Sequence, residues 1–169
     1  MFKYINCKQY DKYDMRYHLL EYSEIVTGLF VGSRKILDLY QDKVYMIVNC
    51  TKDIPFPDKP DIIEYIRIPM DQDPDTRNSD TTSEYILNYI HKINLLERMN
   101  ICILNGGSVL VHCLSGIQRS STIIVLYLLK YHNMTPQMAI SFIRKRRRIA
   151  FHGGEINYMK AIDLFYNTL

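Results

Sequence analysis

The sequence predicts a single α/β domain with a mainly parallel central sheet flanked by helices on both faces. Apolar segments of strand length alternate with longer segments of helical period along the chain. The run Val109-Leu110-Val111-His112-Cys113 passes through a five-residue loop into a long apolar segment beginning at Arg119, which reads as buried strand, tight loop and buried helix. At 169 residues, against roughly 150 per domain, the chain can bury one full core.

In chain order, residues 1–22 form an extension rich in tyrosine and charge. Tyr10, Tyr13 and Tyr17 recur at helical spacing, as in a peripheral helix folded back on its own domain. Ile25 to Ser33 reads as two short strands around a glycine turn, with Ser33 capping a helix to about Tyr40. Val44 to Asn49 is a buried strand ending at Cys50-Thr51. Three prolines within 53–60 make a loop, and Ile62 to Ile68 is the next strand, closed by Pro69. Met70 to Asp80 is acidic and proline-broken, hence another loop. Thr81 or Thr82 caps a long helix to about Met99, whose Ile86, Leu87, Ile90, Ile93 and Leu96 keep the helical period.

Asn105-Gly106-Gly107 turns the chain into the cysteine strand. Arg119 to about Tyr131 is apolar nearly all round, as a central buried helix requires. Thr135 caps the following helix with Pro136 in its first turn, and Ala139, Ile140 and Ile143 point inward. It ends in the basic run Arg144-Lys145-Arg146-Arg147-Arg148. That run reads as a solvated helix end, as a rim for phosphorylated or acidic protein substrates, or as a nucleic-acid or nuclear-import patch. A last helix spans about Glu155 to Asn167.

Composition excludes several classes. Cys7, Cys50, Cys102 and Cys113 show no paired metal-ligand spacing, which argues against zinc, and their sparse placement suits a reducing compartment. The longest apolar run, Ile123 to Leu129, falls far short of the ~20 residues of a membrane span, and no apolar signal-peptide core opens the chain. The expectation is a cytoplasmic protein, with the nucleus as second location and no membrane partner. Its net charge of +3 is divided unevenly: −3 over residues 1–100 and +6 over residues 101–169, the half that holds the cysteine loop. Such a field draws in phosphorylated substrates.

The loop between strand and helix suits an anion, above all a phosphate, because its amides and the first helical turn converge on one concavity. A free cysteine, with a pKa of about 8.5, is mostly protonated at neutral pH. At Cys113, a helix N-terminus, converging amides and a guanidinium all favour the thiolate. Gly116 permits the turn and the close approach, and Arg119 offers a planar fork that matches two phosphate oxygens. Ser120 can cap the helix and donate a hydrogen bond to sulfur, while His112 orders the loop rather than acting as a base.

The fuller run VHCLSGIQRSSTIIVLYLLKYHNMTPQMAISFIRKRRR resembles the cysteine-dependent protein tyrosine phosphatases, whose signature is His-Cys, five residues, Arg and Ser or Thr. It is most similar to their dual-specificity, H1-like branch, and the resemblance covers about residues 23–169. It implies the same α/β architecture and a phosphatase acting on phosphotyrosine and phosphoserine/threonine of phosphorylated proteins through a phosphocysteine. No metal or other cofactor is expected. Cys113, Arg119 and Ser120 would be catalytic. The segment His112, Leu114, Ser115, Gly116, Ile117, Gln118 and Arg119 would hold the phosphate.

In that family the loop after Pro69 supplies an aspartic general acid, commonly three residues beyond the proline. Here that place is Gln72, with Asp71 and Asp73 on either side. Asp71 is preferred because it lies nearer the strand, with Asp73 close behind and Asp75 third. The family's Pro-Asn loop is replaced by Arg148 to Gly154, so loop shape is not carried over there. Resemblance to the viral H1-type enzymes adds a homodimerisation arm as a second reading of residues 1–22, and some relatives suggest Cys50 as a disulfide partner for Cys113. The competing enzymatic readings are an RNA 5′-phosphatase and a phosphoinositide phosphatase, but Leu114-Ser115-Gly116 and Arg119-Ser120-Ser121 do not match the RNA-directed loop, and the lysines that lipid-directed relatives often place inside the loop are missing. Nucleic acid is therefore not the expected partner. Rhodanese-like and arsenate-reducing chemistry fit the context worse. A phosphoprotein-binding module with little turnover is the reading from another class.

Overall fold

The computed structural model describes residues 22–36, 44–58, 62, 64–73 and 75–169. Five strands, β1 Ser23–Val26, β2 Leu29–Ser33, β3 Met46–Asn49, β4 Glu64–Arg67 and β5 Val109–Cys113, form one sheet in the order β1-β2-β5-β3-β4. β1 and β2 make an antiparallel hairpin, and the three other pairings are parallel. The hairpin turns on Gly28 at φ 80°, a left-handed conformation that glycine adopts without penalty. The cysteine strand β5 is therefore the middle of a mainly parallel sheet, with Val31, Val111 and Val48 in one register across β2, β5 and β3.

Alternation along the strands separates two apolar clusters. Val109, Val111 and Cys113 face the larger one, together with Val31, Met46, Val48 and Ile66. All five described helices contribute to it: α1 Asp80–Lys92, α2 Leu95–Leu104, α3 Arg119–His132, α4 Pro136–Arg146 and α5 Met159–Tyr166. α3 is buried at every residue from Arg119 to Leu129, as its all-round apolar sequence predicts. Each fully buried Ile, Leu or Val there stabilises the fold by about 1.5–3 kcal/mol. Leu110, Phe30 and Ile47 face the other side, where Tyr22, Ile36, Val44, Phe56, Ile62 and Tyr65 cover them.

The helix expected from Ser33 to about Tyr40 falls largely outside the described residues. So does the tyrosine-rich extension through residue 21, with both of its readings. Tyr22 belongs to the folded core, edge-on to Phe30 at 5.8 Å.

Three element boundaries differ from expectation. α1 is capped by Ser79, whose hydroxyl accepts from the Thr82 amide at 3.1 Å, and not by Thr81 or Thr82. Several residues in this stretch can cap, and starting at Asp80 sets a carboxylate against the positive end of the helix. The single long helix expected to about Met99 is two helices, broken at Asn94 with φ 51° and ψ 38°. Asparagine tolerates this left-handed geometry, and an apolar period that continues across the break hides it from the sequence. The last helix begins at Met159 rather than about Glu155. The chain before it is tied down by the Gln118 side chain, which donates to the carbonyls of His152 at 3.4 Å and Glu155 at 3.0 Å and accepts from Asn157 N at 3.2 Å.

Candidate active site

β5 delivers Cys113 to the C-terminal edge of the sheet, and α3 starts at Arg119 after five intervening residues. Open α/β sheets bind ligands at such an edge. Between the two, the loop folds over the sulfur. Gly116 N donates to Cys113 Sγ at 3.2 Å, and Ser120 Oγ lies 3.3 Å from it. Burial pushes the Cys113 thiol up, but the Ser120 hydroxyl and amide, the Arg119 charge and the Gly116 amide outweigh it, and the net shift is downward. The surroundings of the sulfur favour its thiolate form. Gly116 stands at φ 68°, and a Cβ there would come within 2.6 Å of the Gly32 backbone. Both conformation and space exclude a side chain.

Cys113, Leu114, Ser115, Gln118 and Arg119 line a cleft of about 110 Å³ together with Asp71, Gln72, Arg77 and Asn157. Arg119 is buried, and one terminal nitrogen reaches the Met70 carbonyl at 3.4 Å. The Gln72 carboxamide, with its oxygen turned inward, accepts from both terminal nitrogens of the same guanidinium. Gln72 thus sets one carboxamide oxygen into the fork of Arg119, the group that would meet a phosphate. The loop that carries it is fixed from behind by Tyr158, whose hydroxyl donates to the Asp71 carbonyl at 2.7 Å.

The two candidate acids are separated by this geometry. Asp71 lines the cleft. Its Oδ2 pairs with Lys52 Nζ at 2.6 Å, and its Oδ1 accepts from the amides of Gln72 at 2.7 Å and Asp73 at 3.1 Å. The Lys52 hydrogen bond, then those amides, hold its pKa down at about 2. Asp73 does not line the cleft, and its carboxylate accepts from the Asp75 amide at 2.9 Å.

His112 lies wholly beneath the loop, its Nδ1 3.4 Å from the Cys113 carbonyl. Burial lowers its pKa to about 4, so the ring is neutral and supports the loop from below. Gly116 and Ile117 shape the loop without lining the cleft. Cys50, also buried, has its thiol raised well above the ordinary value by burial and then by the charge of Cys113. It is the protonated neighbour of the thiolate.

Several residues of this assembly had no sequence signal: Arg77 and Asn157 on the cleft wall, Tyr158 behind the acidic loop, and Lys52 on Asp71. Each comes from a segment remote in the chain, and only the fold brings them in. The basic run also divides. Arg146 stacks on Phe142 at 3.5 Å, and Arg144 bonds the carbonyls of Ala150 at 3.3 Å and Phe151 at 3.1 Å. Arg147 alone of the five is buried.

Residues 29–167 match the family model described as dual specificity phosphatase, catalytic domain. The chain is similar to Dual specificity protein phosphatase 16 of Homo sapiens, 28% identical over 150 residues, covering 83% of this chain and 21% of that protein. It is also similar to Putative tyrosine phosphatase 123R of Invertebrate iridescent virus 6, 31% identical over 90 residues, covering 53% and 62%. The chain thus spans a fifth to about three-fifths of these relatives. In fold it is similar to human DUSP28, with a TM-score of 0.71 at 20% identity over 87% of this chain and 93% of that one. No helix among the described residues is long and apolar enough to cross a membrane.

Proposed function

The chain belongs to the dual specificity phosphatase family, and from that premise we propose that it hydrolyses phosphotyrosine and phosphoserine/threonine in proteins through a phosphocysteine on Cys113. The observation that carries this reading is the lowered Cys113 thiol at a cleft lined by Arg119, with Gly116 N and Ser120 Oγ on its sulfur.

In the first step the Cys113 thiolate attacks phosphorus in line. The bond to the leaving oxygen breaks as Asp71 protonates that oxygen. Arg119 and the loop amides hold the equatorial oxygens while their charge shifts, displacing Gln72 from the guanidinium. In the second step the Asp71 carboxylate takes a proton from water, and the resulting hydroxide attacks phosphorus. The sulfur–phosphorus bond breaks, and the thiolate that leaves is stabilised by the Ser120 hydroxyl. Asp71 is assigned this role over Asp73 because Asp71 lines the cleft and Asp73 does not. Arg77, on the same wall, adds positive charge for a phosphorylated substrate. A reactive thiolate suits a reducing compartment, so residence in the cytoplasm, with the nucleus as second location, is part of the proposal.

The test is phosphate release, in the presence of a chelator, from matched phosphotyrosine and phosphothreonine peptides, with Cys113→Ser as control. Release from both peptides, abolished by the substitution, is the expected result. Release from neither, with phosphate still bound, would redirect the reading to RNA or phosphoinositide substrates and then to a phosphoprotein-binding module.

A further inference from the structure

We propose that Arg147, from the basic run, is a positioning residue for the phosphate loop: it holds the Gly116 carbonyl so that the next amide points into the anion seat. The inference rests on the phosphatase reading of the cleft and adds a residue outside it. Arg147 ends α4 in an extended conformation, with φ −134° and ψ 90°, which turns its side chain away from the helix surface. It is 3% exposed, and its Nε donates to Gly116 O at 2.8 Å. The nearest heavy atoms to the place of a Gly116 Cβ include Arg147 Nη2, at 2.6 Å. The guanidinium packs where other residues carry a side chain, so Gly116 and Arg147 interlock.

A planar trans peptide sends a carbonyl and the following N–H in opposite directions. Pinning the Gly116 carbonyl against Arg147, which does not line the cleft, therefore turns the Ile117 N–H the other way, away from Arg147. Two other loop carbonyls are held likewise. Leu114 O accepts from Arg34 N at 3.2 Å, and Ile117 O accepts from Phe151 N at 2.9 Å. Those two bonds come from backbone amides, which any residue supplies. Of these three, only the Gly116 bond comes from a side chain. Burying a guanidinium is unfavourable unless its geometry is met, and a lysine has no donor at the Nε position and no planar group to lie against Gly116. The preceding peptide plane carries the Gly116 amide that donates to Cys113 Sγ.

The experiment compares R147K and R147M with the native protein, using p-nitrophenyl phosphate as substrate and orthovanadate as an oxyanion that mimics the transition state. Misaiming one amide acts mainly after substrate is bound, so kcat should fall by about 10-fold or more in R147M, with KM within about threefold. The vanadate inhibition constant should rise in step with the loss of kcat/KM, and the pH midpoint for iodoacetate alkylation of Cys113 should move up. R147K, which keeps the charge but loses the fork, should be impaired in the same sense. Kinetics and vanadate binding in R147M within about threefold of native, whatever its melting temperature, would overturn the proposal. If R147M does not fold, R147K decides. Failure of both to fold would make Arg147 a residue of the core and overturn it equally. Should the native protein release no phosphate, the phosphatase reading fails separately, and vanadate protection of Cys113 against iodoacetate still tests Arg147.

Discussion

Asp71, the proposed acid, is held ionised by Lys52 and two loop amides on its carboxylate. A substrate phosphate brings negative charge beside it and raises its pKa towards the range where it can donate a proton. Two variants test this assignment. Asp71→Asn should lower kcat for a phosphothreonine peptide by about 100-fold or more, with a smaller loss for p-nitrophenyl phosphate, whose leaving group needs little protonation. Asp73→Asn should change neither by more than about threefold. Lys52→Met removes the largest influence lowering Asp71, so the alkaline limb of kcat should move to higher pH. Steady-state pH profiles check both the sizes and the sign. His112 makes a separate prediction for stability. Its pKa is about 4 in the fold, chiefly through burial, against about 6.5 in the unfolded chain. Between those values only the unfolded chain takes up the proton. Stability is therefore full above about pH 6.5 and lost as pH falls towards 4, by roughly 3 kcal/mol from this group. Denaturant titrations should show that slope, and His112→Asn should flatten it.

At the scale of the element, Ser79→Ala should destabilise the fold by about 1 kcal/mol through loss of the α1 cap, while Thr81→Ala and Thr82→Ala should each cost less than about 0.5 kcal/mol. Chemical denaturation of the three variants distinguishes the observed cap from the expected ones. The same helix shows where sequence reading stops. The signal in β5, the loop and α3 was strong because every level agreed: strand-length apolar run, glycine at the turn, arginine at the helix start. Thr135 and Pro136 opened α4 as expected, with the threonine hydroxyl accepting from Met138 N. Asn94 carried no such agreement, since apolar residues fall at helical intervals on both sides of it. The start of the last helix depended on bonds from Gln118, whose target carbonyls are 34 and 37 residues away. The Arg144–Arg148 run could not be divided in the same way, because adjacent arginines look alike in a sequence. The change of backbone direction at the end of α4 sends one inward and leaves the others in solvent. Gln72 stood in the place where the family commonly has its acid, but its contact with Arg119 required the two loops to be brought face to face.

Over the whole molecule, the chain folds its acidic and basic halves so that the cleft takes walls from both. Lys52, Asp71 and Arg77 come from the half with net charge −3, and Cys113, Arg119 and Asn157 from the half with +6. The cysteine loop lies in the positive half and Arg77 adds charge from the other, so kcat/KM for phosphopeptides should fall as ionic strength rises from about 0.02 to 0.15 M, mainly through KM. Initial rates at several salt concentrations check this, and an unchanged KM would remove long-range attraction from the account. The central claim is the covalent step at Cys113. It is tested most directly by acid quench of the Asp71→Asn variant during turnover of a phosphotyrosine peptide, followed by mass spectrometry of the loop. Protonation of the tyrosine leaving group is less demanding than hydrolysis without Asp71, so the intermediate should accumulate. A phosphoryl group should be found on Cys113 and be absent from Cys113→Ser. Turnover with no phosphoryl group on that sulfur, or undiminished turnover in Cys113→Ser, would contradict that claim.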